Sequence, residues 1–178
     1  YPMGRIYRGY RNRLFQREQI EGIDVLRVWT FIAVNKGFFK RTLDYLSFAL
    51  AGTVGGCLSG PVDVVISTSP QIFCAVAGFI VSSFVRKPWI FELRDLWPES
   101  ISEVGASNNH LLLGSVDRFV RFLYRRCDHI VALTDSFREV LLAKNIGSEK
   151  ITVIPNGVPI NQEESEDSES IETICPST

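Results

Sequence analysis

Four short runs in this chain, Val62–Ser67 (VDVVIS), Trp89–Leu93 (WIFEL), Asp128–Leu133 (DHIVAL) and Lys150–Ile154 (KITVI), are apolar with few interruptions. A strand with one wet face alternates apolar and polar residues. A strand that stays apolar at successive positions is buried on both faces, which is the situation of a parallel sheet covered by helices. Helical patterns lie between the runs. Phe38–Ala51 has apolar residues at Phe39, Leu43, Leu46 and Leu50, and the glycines of Gly52–Gly60 are expected to break it. Pro70–Phe84 is apolar almost throughout, with Pro70 at the helix entry, where a missing N–H costs nothing. Leu111–Cys127 places Leu112, Val116, Phe119, Val120 and Leu123 on one face, and Asp117, Arg118, Arg121 and Arg125 on the other. Ser136–Asn145 is capped by Thr134 or Asp135, has Ser136 and Glu139 at capping-box spacing, and meets Gly147 as terminator. With Ile23–Trp29 (IDVLRVW) as a further strand, the order is β-α-β-α-β-α-β-α-β. Short links between parallel strands demand right-handed crossovers. The expected class is therefore α/β, a three-layer parallel sheet with helices on both faces.

The 178 residues suffice for one domain with a real core, and 46% hydrophobic with 22% charged residues is ordinary for a globular protein. The net charge of −1 hides a division. Residues 1–160 hold 19 bases against 14 acids, about +5, while residues 161–178 hold six acids and no base. This separates a folded, mildly basic domain, 1–160, from an acidic tail, 161–178, that is too polar to bury a core and is expected to be disordered. Tyr1–Arg17, with five Arg and no acid, is expected to be an exposed loop. Cys57, Cys74, Cys127 and Cys175 have no metal-ligand spacing and, with only His110 and His129 to help, point away from zinc. The first three sit in apolar surroundings, as buried free thiols of a reducing compartment do. Leu43–Leu58 and Ile72–Val85 fall short of the ~20 apolar residues of a membrane span and are expected to be core helices. No early apolar run resembles a signal peptide.

The chemistry-bearing cluster is ELRDLWPES. The run Pro88–Phe91 delivers Glu92, Arg94, Asp95, Trp97 and Glu99 to a strand's carboxyl end, where open α/β sheets keep their crevice. Two readings stand side by side: an active-site edge, or a loop anchored by pairing of Arg94 and Asp95 with Glu92 or Glu99. Thr68 and Ser69 lie at another strand-to-helix junction, suited to a hydroxyl or phosphate ligand or to plain capping. Thr134-Asp135-Ser136 has the same two readings. A dinucleotide-binding dehydrogenase is disfavoured, since no G-x-G-x-x-G occurs.

Taken in order and spacing, VDVVISTSP, KPWIFELRDLWPES, RFLYRRCDHIVALTDSFREVLL and EKITVIPNGV resemble the N-terminal half of family 4 glycosyltransferases, most nearly those of bacterial polysaccharide and O-antigen assembly. The resemblance covers about residues 1–160. It implies a GT-B enzyme, two Rossmann-like domains across a cleft, with the N-terminal domain presenting a glycan or lipid-linked acceptor. The C-terminal domain holds a nucleotide-sugar, which is a co-substrate, and no cofactor or metal is required. Transfer retains the anomeric configuration through an oxocarbenium-like transition state. Arg94-Asp95 aligns with a His-Asp pair of many relatives. The resemblance thereby makes Asp95 and Arg94 the catalytic candidates, and Glu99, Ser69, Thr68 and Trp97 the substrate-binding candidates. Arg94 departs from the pattern: guanidinium is a poor proton shuttle and a good anion contact. Pro155-Asn156-Gly157-Val158 resembles the turn into the second domain.

The family's first strand and Gly-rich loop are expected before Tyr1, and its donor-binding domain after Val158. On this reading the chain is an incomplete piece with little transfer activity alone, and its sheet has an exposed edge. The expected location is cytoplasmic, with peripheral contact to the membrane's inner face through Arg118, Arg121, Arg125 and Arg126 or the Arg5–Arg17 loop. Nucleic acid is not an expected partner, as no nucleic-acid motif accompanies the charge. The competing reading is a non-catalytic α/β binding module that needs a separate donor-domain partner.

Overall fold

Trp89, Phe91 and Leu93, alternate residues of one strand, are each 1% exposed, and the molecule is organised around them. The computed structural model describes residues 4, 6–32, 38–97 and 110–157. The tail 161–178, Cys175, Pro98, Glu99 and the side chain of His110 lie outside the described residues. In chain order the elements are β1 (Phe15–Ile20), β2 (Ile23–Val28), α1 (Phe38–Cys57), β3 (Val65–Thr68), α2 (Ile72–Val85), β4 (Trp89–Leu93), α3 (His110–Arg126), β5 (His129–Ala132), α4 (Asp135–Ala143), a 3-10 turn (Ser148–Lys150) and β6 (Ile151–Val153).

Strands β3, β4, β5 and β6 form one parallel sheet in that spatial order, flanked by helices. Its register aligns Ser67 with Phe91 and Ile130 with Ile151, so these residues share a face. Onto that face α2 packs Ile72 and Ala75, α3 packs Val120, Leu123 and Tyr124, and α4 packs Leu141. The Phe91 and Tyr124 rings stack at 6.1 Å. Each large side chain buried this way contributes about 2–3 kcal/mol. Gly78 lets α2 approach: a Cβ there would stand 2.5 Å from Ser67 Oγ and 2.7 Å from Trp89 Nε1. Those two atoms are already hydrogen-bonded, Trp89 Nε1 donating to Ser67 Oγ at 2.9 Å.

Ile23–Val28 does not join this sheet, contrary to the expected five-strand order. It pairs antiparallel with Phe15–Ile20, whose first residues were assigned to the basic loop, in a separate two-stranded sheet. The two-residue connection explains the pairing. Glu21 and Gly22 both have positive φ, 52° and 83°, the requirement of the type I′ turn that matches strand twist.

Helix α1 also runs past its expected end, through Gly52, Gly55 and Gly56. Each helical glycine costs about 1 kcal/mol of propensity. Here the missing side chains let α1 lie close to its neighbours. A Cβ on Gly55 would be 2.9 Å from Val28 Cγ1, and one on Gly56 would be 2.8 Å from Val81 Cγ2. Nor is α1 a core helix. Its outer side leaves Phe39, Leu43, Leu46, Leu50 and Val54 exposed.

Two helix ends shift for local reasons. Pro70 precedes α2, whose N-cap is Gln71. Helix α4 is capped by Thr134, whose Oγ1 accepts from Phe137 N at 3.2 Å, so the Ser136–Glu139 spacing is not used as a capping box. It ends at Ala143, with Lys144 as C-cap and Asn145 in the left-handed region at φ 58°, before Gly147 is reached. Asn tolerates that conformation because its short amide bonds locally. Among the described residues Cys57, Cys74 and Cys127 are free thiols, and burial pushes the Cys127 thiol up to about 12.

Candidate functional site

At the carboxyl end of the parallel sheet, the turns after β3 and β4 are held to each other by one hydroxyl. Ser69 N donates to Glu92 O at 3.0 Å, which prolongs the β3–β4 ladder by one rung. Ser69 Oγ then accepts from Arg94 N at 2.7 Å and from Asp95 N at 3.1 Å. A serine 1% exposed therefore sets where the Arg94 and Asp95 side chains start. Arg94 is exposed and Asp95 half-buried. Trp97 Nε1 donates to Pro70 O at 2.8 Å, a second tie between the same turns. Thr68 Oγ1 donates to Ser69 O at 3.0 Å, and its residue is exposed at the strand end opposite Glu92.

The structure thus brings Thr68, Ser69, Arg94, Asp95 and Trp97 together at one edge, from stretches about 25 residues apart in sequence. Glu99 lies outside the described residues. Among the described residues Arg94 makes no ion pair with Glu92, so that half of the anchoring reading is not what fixes the loop. Among the described residues, neutral hydrogen bonds to Ser69 Oγ and Pro70 O contribute to the anchoring. Chemically, the arrangement offers a carboxylate and a guanidinium on adjacent residues at the sheet's carboxyl edge, with their backbone tied to Ser69. A carboxylate accepts a hydrogen bond from a hydroxyl, and a guanidinium binds an anion. No group of three or more His, Cys, Asp or Glu among the described residues converges as a metal site would require.

Several other candidates make structural contacts. Thr134 spends its hydroxyl on the helix cap. His129 Nε2 and Thr152 Oγ1 are 2.8 Å apart across β5 and β6. On the basic face of α3, Arg121 Nε donates to Asp117 Oδ2 at 2.6 Å, and Lys144 Nζ of α4 donates to Asp117 Oδ1 at 2.8 Å. Burial raises the Asp117 pKa, but Lys144 and Arg121 more than offset that and hold it below the usual 3.8. Arg126 lies over the Phe122 ring at 5.2 Å.

A cavity of about 1010 Å³ opens between the chain before the hairpin, β2, α1 and Gln71, the residue after Pro70. It is not among the features expected from sequence. Its signal was present as the interleaved Tyr and Arg of Tyr7, Tyr10 and Arg11, repeated at Arg41 and Tyr45. No helix of the described residues is long and apolar enough to cross a membrane.

With this geometry in place, comparison with known proteins adds one match. The model of a family described as glycosyl transferase 4-like domain matches residues 5–157, which takes in both turns of the candidate site and the wall of the cavity. No curated protein matches the chain.

Proposed function

Because the chain belongs to the glycosyl transferase 4-like domain family, we propose that its strand-end cluster is the acceptor side of a retaining sugar transfer in cell-surface polysaccharide synthesis, of the O-antigen type. A glycosyltransferase domain implies a nucleotide-sugar and an acceptor as substrates. In this reading a second Rossmann-like domain holds the nucleotide-sugar, and residues 5–157 present the acceptor, a glycan carried on a lipid. Asp95 accepts a hydrogen bond from the acceptor hydroxyl and orients its oxygen toward the donor's anomeric carbon. Arg94 offsets negative charge on the donor's departing diphosphate. Trp97 and Thr68 border the acceptor, and Ser69 acts through the backbone of Arg94 and Asp95 as a positioning residue. Orientation of this kind supplies a large part of such barriers, because a misplaced hydroxyl forfeits the effective concentration that binding creates.

The observation that carries the reading is the double acceptance by Ser69 Oγ, at 2.7 and 3.1 Å, which fixes the start of Asp95 to a rigid sheet edge. A loop serving only as a surface connection has no need of that tie.

Peripheral membrane contact is supported by α1. Phe39, Leu43, Leu46, Leu50 and Val54 follow one another at helical spacing and are all exposed, with Lys40 and Arg41 in the first turn. A helix of that pattern lies in the interface of an anionic membrane with its apolar side down. The lipid-linked acceptor is reached from that same surface.

The test separates the two substrates. The purified chain is titrated with a lipid-diphosphate-linked glycan in mixed micelles and, separately, with a panel of nucleotide-sugars. Binding of the glycan that weakens about tenfold in Asp95→Asn, a lost charge-assisted hydrogen bond, is expected, with nucleotide-sugar binding absent. Tight nucleotide-sugar binding without glycan binding overturns the acceptor assignment.

A further inference from the structure

The cavity beside α1 is a built site. Its floor is a hydrogen-bonded network: Asn12 Nδ2 donates to Thr30 O at 2.8 Å, Thr30 Oγ1 donates to Asp44 Oδ1 at 2.6 Å, and Phe31 N donates to Ser47 Oγ at 2.7 Å. Thr30, at the centre, is buried. These bonds tie the end of the hairpin to α1 beside the cavity. At about 1010 Å³ it sits at the upper end of the range of small-molecule pockets.

The wall carries three kinds of group, and together they narrow the ligand. First, Gln71 is on the wall and its Oε1 is sealed from solvent with no hydrogen-bond partner among the described residues, so its amide has to turn toward the cavity to meet a ligand. A buried orphan acceptor is costly and calls for a donor. A phosphate or carboxylate at neutral pH has no hydrogen to give it, whereas a sugar hydroxyl does. Second, Tyr7, Tyr10, Tyr45 and Phe48 present rings to the same space. Aromatic rings suit the flat C–H faces of a pyranose, being apolar in body and, for Tyr, polar at the tip. Third, the charge is unbalanced. Arg27 is neutralised by its ion pair with Glu18 and stacks over Tyr10 at 4.6 Å. Asp44 accepts from the neutral Thr30 hydroxyl and keeps its negative charge, so with Arg11 and Arg41 the wall carries an excess of one positive charge. Arg11 and Arg41 remain on the wall with no carboxylate partner among the described residues, Arg41 lying over the Tyr45 ring at 5.7 Å. Two guanidiniums in a concave, partly apolar site select an anion, and phosphate matches their fork.

We propose that this cavity binds a glycosyl phosphate, with a sugar hydroxyl donating to Gln71 Oε1, the pyranose against the tyrosine rings and the phosphate at Arg11 and Arg41. The inference rests on the acceptor reading and deepens it. Gln71 is two residues from Ser69, so a ligand seated here extends from the cavity toward the Asp95 edge. The cavity then holds the phosphorylated end of the acceptor, and the strand-end cluster meets the reacting end.

Gly52 provides the test, because it lines the cavity and a Cβ added there meets no atom within 4 Å. Gly52→Leu therefore puts apolar bulk into the cavity from a position where its Cβ meets nothing, and its Tm is expected to be unchanged or raised, glycine being the poorer helix former. The full chain is titrated calorimetrically with glucose 1-phosphate, glucose, inorganic phosphate and a farnesyl-phosphate-linked glucose. Expected is saturable binding of glucose 1-phosphate below about 10 mM, with glucose and phosphate each about tenfold weaker or worse. Gly52→Leu abolishes the binding, while Arg41→Gln and Gln71→Leu each weaken it about tenfold. A lipid-linked ligand that binds better than glucose 1-phosphate identifies a membrane source, and equal affinities identify a soluble one; either supports the site. No saturable binding of either phosphorylated ligand, or full binding by a folded Gly52→Leu chain, overturns it. Failure of the acceptor reading shows differently: glucose 1-phosphate binds in the cavity, yet Asp95→Asn leaves glycan binding untouched.

Discussion

Replacing Ser69 by alanine removes one oxygen and leaves nearly the same volume, so its consequences belong to two hydrogen bonds. Ser69 Oγ accepts from Arg94 N at 2.7 Å and Asp95 N at 3.1 Å from a residue 1% exposed. Orphaning a buried donor costs about 1–3 kcal/mol. Arg94 is exposed and Asp95 half-buried, so water reaches part of the turn and the low end of that range, about 1 kcal/mol, applies to each. The expected loss is about 2 kcal/mol in total, which at a urea m-value of about 2 kcal/mol per M lowers the midpoint by about 1 M. Amide exchange separates the local effect from the global one. The amides of Phe91 and Ile130, in the sheet interior, open with global unfolding and accelerate about 30-fold, the factor for about 2 kcal/mol. Those of Arg94 and Asp95 lose their acceptor as well and accelerate by more than that, through local opening. Hydrogen–deuterium exchange read by NMR, alongside urea unfolding, measures both. Unchanged exchange at Arg94 and Asp95, with a midpoint within ~0.2 M of wild type, refutes the claim that this hydroxyl positions the turn. Glycan binding must fall in parallel if the turn is where the acceptor sits.

Other perturbations test neighbouring parts of the argument. Gly78→Ala drives a Cβ against Ser67 Oγ and Trp89 Nε1 and is expected to cost about 1–3 kcal/mol of overpacking, with altered Trp near-ultraviolet dichroism; an unperturbed spectrum counts against the close α2–sheet contact. Lys144→Met leaves Asp117 with Arg121 alone and is expected to destabilise by about 1–2 kcal/mol in urea melts at neutral pH. Because Asp117 is lowered in the folded state, its contribution is present above the ordinary value of 3.8 and lost as pH falls through the lower folded value; the acid limb of stability against pH should be shallower in Lys144→Met. Leu50→Glu on the outer side of α1 should leave the urea midpoint nearly unchanged, since Leu50 is 71% exposed, yet lower sedimentation with anionic vesicles. Equal vesicle binding argues against α1 as the membrane face.

Much of the sheet was legible along the chain. Trp89–Leu93 was expected and found with the same bounds, and the other three parallel strands were placed within three residues at each end. The parallel strands write themselves as apolar runs, a signal that needs no knowledge of neighbours, although they bury alternate residues most deeply and are not covered equally on both faces: Ile66 of β3 is 64% exposed. The family resemblance was legible for a related reason: strand-end motifs such as RDLWPES and PNGV combine a run with the turn that follows it. The hairpin was not legible. Phe15–Ile20 (FQREQI) is polar in its middle because that strand is largely solvent-facing, and only the Glu21-Gly22 turn marks it. Helix α1 was cut short at Gly52 because propensity weighs glycine against a helix, while the closeness of Val28 and Val81 that glycine permits is a tertiary fact.

By itself, then, the sequence determined the class of fold, the family and the edge at which Arg94 and Asp95 stand, since each follows from local pattern. Tertiary structure decided that Ser69 is the hydroxyl that positions them, across a separation of about 25 residues. It also decided that α1 and the hairpin, packed together at Gly55 and Val28, border a cavity. Hydrogen bonds such as Thr30 to Asp44 and Ser69 to Asp95 join residues by register and packing, and neither register nor packing distance is encoded in the order of residues within any one segment.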